Sequence, residues 1–308
     1  MINLKNIIRI IKVIFRMSPK NIYHVFLKAQ ETLPKLSVNK SKFGLFSGFE
    51  NDYTYESALA KGCSEPHFIE IIEYFLNENS IAIDLGANIG THSILMSKKA
   101  SLGQVSAFEA QSLTFSILQN NLLLNTCKNV NAYRFAICNS NNLVLSMDPF
   151  SFSSGISNGS TRVNNKNSAL GDLVLTRTLD SFQFASIDFI KIDVQGSEFN
   201  VLCGAEQLLK QSRPVLFLEI EEQHLKALGS SSKLLMEKAM SLNYALYRIE
   251  NSYPCDHICI PIEFVEEFER DSKQKFSFTL SNKIFGKRVL LKFKKDTDQN
   301  YSSIEVLE

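Results

Sequence analysis

The sequence predicts an α/β protein with a doubly wound, mostly parallel sheet and an N-terminal helical extension. Three observations carry that prediction. Residues 81–90 read IAIDLGANIG, a strand that ends in an acid and turns through glycines into a helix. Strands and helices then alternate along the chain, a rhythm that requires parallel strands with helical crossovers on both faces. A second strand, within IDFIKIDVQGSE at 187–198, again ends in polar residues and a glycine. In such sheets ligands gather at the carboxyl ends of the strands.

Taken in order, residues 4–16 (LKNIIRIIKVIFR) place Leu4, Ile7, Ile8, Ile11, Ile14 and Phe15 on one helical stripe. Lys5, Arg9, Lys12 and Arg16 occupy the other faces, and Pro19 ends the helix. Such a helix suits an anionic membrane surface, a contact assigned to residues 1–17, or equally a docking face on the domain or a partner. Residues 20–60 carry no strong signal. A helix over 66–77 opens on Pro66, which suits a first turn. Strands are expected at 81–85, 104–108, 130–135, 187–193 and 214–220, with helices at 90–100, 112–124, 197–210 and 230–241. Short β runs, LVLSM and DLVLT, flank a Ser/Asn-rich stretch at 151–168 placed to act as an acceptor lid. Two last strands are expected at 244–249 and 257–261. The resulting division is 1–59 as extension, 60–264 as the main domain and 265–308 as a basic extension. Residues 272–295 hold eight Lys/Arg and no acid.

Composition narrows the function. The chain of 308 residues has a formal net charge of +1, so no global field favours nucleic acid. The six cysteines are scattered and form no CxxC pair, which fits a reducing compartment and a cytoplasmic location. Cys255, His257 and Cys259 read as ordinary strand residues, and no metal ligand is assigned. No apolar run reaches the roughly 20 residues that span a bilayer, and no secretory leader is evident.

The glycine turn departs from the dinucleotide pattern GxGxxG at its second and third glycines. Asp84 is an awkward neighbour for a pyrophosphate and a better one for an ammonium or a ribose. S-adenosylmethionine, with an amino group and a sulfonium, suits such a turn. Glu109 ends the second strand, where an acid accepts ribose hydroxyls. Lys191 and Asp193 are two apart and share a face near the end of the fourth strand. They either neutralise each other, or Asp193 faces the transferred group as base or orienter. Glu219 ends the fifth strand, with Glu221, Glu222 and His224 just beyond.

DLGANIG, FEA, LDS at 179–181, KIDVQGSE followed by VLCGAEQLL, and RPVLFLEIE together resemble the successive motifs of the FkbM-type methyltransferase family. The resemblance covers roughly residues 60–262. It implies a class I, Rossmann-like, seven-stranded sheet and methylation of hydroxyl groups on sugars, glycolipids or polyketides with S-adenosyl-L-methionine as cofactor. It implies that Asp84, Gly86, Ala87, Asn88 and Gly90 line the methionine end, that Glu109 holds the ribose and that Ala136 lies where adenine passes. Asp193 then sits beside the methyl donor. Gln195 stands where many members carry a glutamate, so no base role falls to it. For deprotonating an acceptor hydroxyl the candidates are Asp193, Glu219 and His224, with Lys191 beside them. A divalent ion held by Asp193 and Glu219 would do the same work, and the sequence does not choose. The expected partner is a small-molecule or glycan acceptor. Two rival readings are a nicotinamide-dependent oxidoreductase, against which the broken glycine pattern counts, and a non-catalytic methyltransferase-like adapter at a membrane surface.

Overall fold

The computed structural model describes residues 35–63, 65–147, 163–164, 172–250, 255–272, 275–284, 290–293 and 304–307. The N-terminal amphipathic stretch and most of the Ser/Asn-rich stretch lie outside the described residues.

The chain enters through a hairpin that sequence reading missed, β1 (Leu36–Ser41) and β2 (Gly44–Phe49), paired antiparallel. Helix α1 (Tyr53–Lys61) follows, its first amides of Thr54 and Tyr55 donating to the Asp52 carboxylate. Helix α2 (His67–Phe75) leads into β3 (Ile81–Leu85), then α3 (Thr91–Lys99), β4 (Gln104–Phe108), α4 (Ser112–Leu124) and β5 (Val130–Tyr133). Next come β6 (Ala136–Ile137), β7 (Val144–Met147), β8 (Val163–Asn164) and β9 (Asp172–Arg177). Strand β10 (Phe189–Ile192) precedes two short helices, α5 (Glu198–Cys203) and α6 (Glu206–Ser212), where one helix was expected. The break falls at Gly204, which packs so closely on the Cys138 carbonyl that a Cβ would lie 2.1 Å from it. Then follow β11 (Val215–Glu219), α7 (Glu222–Ala227), α8 (Ser232–Ser241), β12 (Tyr244–Glu250), β13 (Asp256–Pro261), α9 (Val265–Ser272) and β14 (Thr279–Ile284). A last pair, β15 (Leu290–Phe293) and β16 (Ile304–Leu307), is antiparallel.

The central sheet runs β14-β12-β13-β11-β10-β3-β4-β5. The five strands from β11 to β5 are parallel, and β13, β12 and β14 join antiparallel. Among the described residues it therefore has eight strands rather than seven. The additional strand, β14, comes from the basic stretch expected to lie beyond the domain. Its pairing with β12 and the packing of Phe276, Phe278 and Leu280 against the core tie this part of the chain to the domain.

The central strands are buried on both faces, as expected for a parallel sheet covered by helices. One core layer holds Val201, Leu202, Leu209 and Leu235 against the sheet. The other holds Phe68, Ile71, Met96, Val265 and Phe268. From β3 the chain winds outward through β4 and β5, then returns to β10 on the other side of β3. The switch point thus lies between β3 and β10. A four-stranded sheet, β6-β9-β7-β8, stands beside it. Among the described residues no helix is long and apolar enough to cross a membrane.

Candidate active site

A cleft of about 750 Å³ opens at the switch point. Gly86, Asn88, Glu109 and Asp193 line one part of it; Phe135, Ala136, Ile137, Leu145 and Met147 line an apolar part from the small sheet.

The glycine turn is held by its own backbone. Gly86 has φ +75°, and a Cβ there would lie 1.7 Å from the Asp193 carbonyl, so only glycine lets the end of β3 abut the end of β10. The amides of Gly86 and Ala87 both donate to the Phe108 carbonyl, at 3.0 and 2.9 Å. The Asn88 amide donates to Glu109 Oε2 at 2.9 Å, and the Gln111 amide to Glu109 Oε1 at 2.9 Å. Glu109 therefore ties the β3 turn to the β4 turn. Burial pushes its carboxyl above the usual range, and the backbone amides only partly offset this. Asn121, fully buried on α4, donates to the Ile89 carbonyl at 2.8 Å and accepts from the Ser47 amide at 2.6 Å. The hairpin β1–β2 is thus anchored to the same turn.

Beneath the turn lies a buried ion cluster. Lys191 and Asp84 are direct register neighbours on β10 and β3. The Lys191 ammonium, 2% exposed, lies 3.4 Å from Asp84 Oδ1 and 3.4 Å from Asp193 Oδ2, and donates to the Gly86 carbonyl at 3.1 Å. Burial disfavours its charge, but Asp193 and Asp84 outweigh this and raise its pKa. Ser93 Oγ donates to Asp84 Oδ2 at 2.6 Å.

Beyond β10, Gln195 and Gly196 both adopt positive φ, +54° and +108°. Gln195 Nε2 donates to Asp193 Oδ1 at 2.8 Å and to Glu219 Oε2 at 3.0 Å. One amide group can clamp two carboxyls in this way; an ionised glutamate could not. Burial alone would raise the Asp193 carboxyl, but Lys191, with hydrogen bonds from Glu219 and Gln195, holds it below the usual range. Burial and then the Asp193 charge push the Glu219 carboxyl well above the usual range. Glu198 Oε1 accepts from the amides of Val194 and Gly196, and burial raises this carboxyl to about 7.

These positions revise the sequence reading. Gly86, Asn88, Glu109, Ala136 and Asp193 line the cleft. Asp84 does not: it is fully buried as the counter-ion of Lys191. Ala87 and Gly90 also stand back, Ala87 packed into the core and Gly90 capping α3 against Leu118. Lys191 is no base, because its ammonium is locked between two carboxylates. Glu219 and His224 lie behind Asp193 rather than in the cleft lining, with His224 Nδ1 3.1 Å from Glu221 Oε2.

Sequence reading also missed residues gathered here from a distance. His92 Nε2 meets Glu65 Oε2 at 2.8 Å, and His67 Nε2 meets Asp256 Oδ2 at 2.8 Å. Burial would lower the His92 pKa, but Glu65 overrides it and raises it to about 10. Glu65 and His67 flank Pro66, the helix-start signal, and that tripeptide was the available clue.

The model of the Methyltransferase FkbM domain matches residues 84–249. The comparison with curated proteins yields no match. Among solved structures, methyltransferase FkbM from Methylobacillus flagellatus is similar at 18% identity and a TM-score of 0.43. That match covers 60% of this chain and 44% of the other, so the chain spans less than half the length of that relative. An O-methyltransferase from Bacillus cereus in complex with SAH is similar at 16% identity and a TM-score of 0.40, over 67% of this chain and 84% of the other. The precorrin-6y C5,15-methyltransferase from Geobacter metallireducens is similar at 12% identity and a TM-score of 0.38, over 63% and 85%.

Proposed function

The chain belongs to the FkbM methyltransferase family, and from that premise we propose that it is an S-adenosylmethionine-dependent O-methyltransferase. Its acceptor is a hydroxyl of a carbohydrate, glycolipid or related natural product. The observation that carries the reading is the cleft at the switch point, bounded by the glycine turn, Glu109 and Asp193. Its residues fit the donor. Glu109 offers a carboxylate for ribose hydroxyls, the slot around Ala136, Leu145 and Met147 offers an apolar face to a flat base, and Asp193 offers negative charge near a cationic centre. The nicotinamide reading fares worse. The amides of Gly86, Ala87 and Asn88 are already taken by Phe108 and Glu109, so the turn has few donors for a pyrophosphate.

The bound donor supplies an already activated methyl group. This chain's residues position and orient. A displacement needs the acceptor oxygen within about 3 Å and in line. Asp193 accepts a hydrogen bond from the acceptor hydroxyl and fixes its lone pair. Lys191 keeps Asp193 ionised, and Gln195 locks its rotamer. A carboxylate held this acidic orients better than it abstracts protons.

Calorimetry with S-adenosylhomocysteine tests the donor. Absence of binding to the intact protein would sink the reading. Incubation with labelled methyl donor and fractionated glycans or glycolipids tests the acceptor, with label expected in a carbohydrate-bearing fraction. Label found only in apolar aglycones would redirect it. For residues 1–17 we keep the reading of a peripheral contact with anionic lipid, which rests on their sequence. Sedimentation with anionic vesicles should fall when they are deleted.

A further inference from the structure

Behind Asp193 the rim holds a cluster that methyl transfer itself does not employ. Glu219 ends β11, Glu221 immediately precedes α7, and His224 lies within that helix. One ligating atom from each lies within 4.8 Å of the other two. Among the described residues no other group of His, Cys, Asp or Glu comes together in this way. Glu219 and His224 are each 8% exposed, so the cluster is not a solvated acidic surface.

Two buried polar atoms beside it point to a ligand. Gln195, whose Nε2 holds Glu219 Oε2 at 3.0 Å, leaves its own buried Oε1 without a partner among the described residues. Glu198, only 1% exposed, leaves Oε2 in the same condition, and its charge reaches both Asp193 and Glu219. A buried acceptor with nothing to accept from costs about 1–3 kcal/mol. A cation carrying bound water supplies what such oxygens lack. The scaffold is also rigid here. A Cβ on Gly196 would lie 2.3 Å from the His224 carbonyl, so the Asp193 turn and the His224 backbone are pressed together.

We propose that Glu219, Glu221 and His224 form a divalent-cation site next to Asp193. Metal bonds of about 2.1 Å to nitrogen and oxygen set neighbouring ligand atoms about 3 Å apart. Small side-chain rotations bring the three heads to that spacing. Two carboxylates and an imidazole suit Mn²⁺ or Zn²⁺ better than Ca²⁺, which takes an all-oxygen cage. The purpose of the ion rests on the methyltransferase reading; its binding does not. Bound there, behind the cleft, it would neutralise the charge on Glu219 and Glu221 and hold rigid the Gln195 clamp that orients Asp193.

The test is a titration of the full-length, chelator-treated protein with Mn²⁺, read by the paramagnetic resonance of free Mn²⁺ and by calorimetry. One saturable ion per chain is expected. Glu221→Gln and His224→Ala should each weaken it about tenfold or more. Glu221 is the more exposed ligand, so its variant guards against a folding failure. Affinity for S-adenosylhomocysteine, measured on the same samples, should hold and reports an intact donor cleft. No saturable Mn²⁺ binding, or equal binding by both variants, overturns the site and leaves a Glu221–His224 ion pair. Failure of S-adenosylhomocysteine to bind the wild type overturns the methyltransferase reading instead.

Discussion

The two sides of the cleft are made in different ways. The donor side is backbone geometry, with a glycine turn closed on the Phe108 carbonyl and fastened by Glu109. The turn and its fastening span residues 86–111. The side around Asp193 is made of side-chain charges from five separate segments. Glu65 and His67 precede or begin α2, His92 is on α3, Lys191 is on β10 with Asp193 just after it, Glu219 is from β11 and Asp256 from β13. The first kind of site is fixed by local sterics. The second depends on every charge finding its partner across the fold. Substitutions should therefore injure the two sides differently.

The largest effect is expected at the charge-built side. Lys191→Met removes the one ammonium between Asp84 and Asp193 and leaves Asp84 buried with Ser93 alone. Breaking a buried pair in this way costs about 3–5 kcal/mol. Urea unfolding measures it. Adding Asp84→Asn should recover a large part, because the stranded charge goes with it. A loss under about 1 kcal/mol would show that the ion cluster does not bear the load described.

On the donor side, Gly86→Ala should cost about 2–3 kcal/mol. The left-handed φ of +75° contributes part and the 1.7 Å approach to the Asp193 carbonyl the rest. Gly229 separates the two, since it has φ +81° but no atom within 4 Å of an added Cβ. Gly229→Ala should cost only the backbone part, about 1 kcal/mol. Equal losses at the two positions would mean that the close approach to β10 carries no weight.

The same contrast decides what could be read from the sequence. The turn, Glu109 and the strand ends were legible because each is a short run with its own period and punctuation. Their neighbours in sequence are their neighbours in space. The pairs His67–Asp256 and Glu65–His92 were not legible. Nothing local to His67 announces Asp256, which arrives only when β13 lies antiparallel on β11. Asp84 misled for the opposite reason. Its place at a strand end fits a ligand-facing acid, but strand alternation turns it toward Lys191. Strand β14 was hidden by the lysine-rich stretch around it, which reads as a solvated tail, though edge strands tolerate such charge.

Glu109→Gln gives a smaller effect and shows how tightly the donor side is wired. Both carboxylate oxygens accept backbone amides. A glutamine offers an oxygen to one and turns a donor toward the other. One buried amide is then left without an acceptor, at about 1–3 kcal/mol. Calorimetric affinity for S-adenosylhomocysteine should drop about tenfold or more. Unchanged affinity would remove Glu109 from the donor site.

The smallest effect is a pH dependence that belongs to the charge-built side. His92 is buried with Glu65 and Cys63 beside it, and with Lys191 of β10 and the following Asp193 acting on it from the sheet. Its folded pKa is about 10 against an ordinary 6.5. The folded state therefore holds this proton after the unfolded chain has released it. Stability from the pair is complete below about pH 6.5 and drains away as pH rises toward 10. Between pH 7 and pH 8 the drain is about 1 kcal/mol, since one proton per pH unit is worth about 1.4 kcal/mol. Urea unfolding at the two pH values measures it. In His92→Gln the pair is gone, and that part of the slope should vanish while the baseline stability falls. A slope that survives the substitution would place the alkaline titration elsewhere.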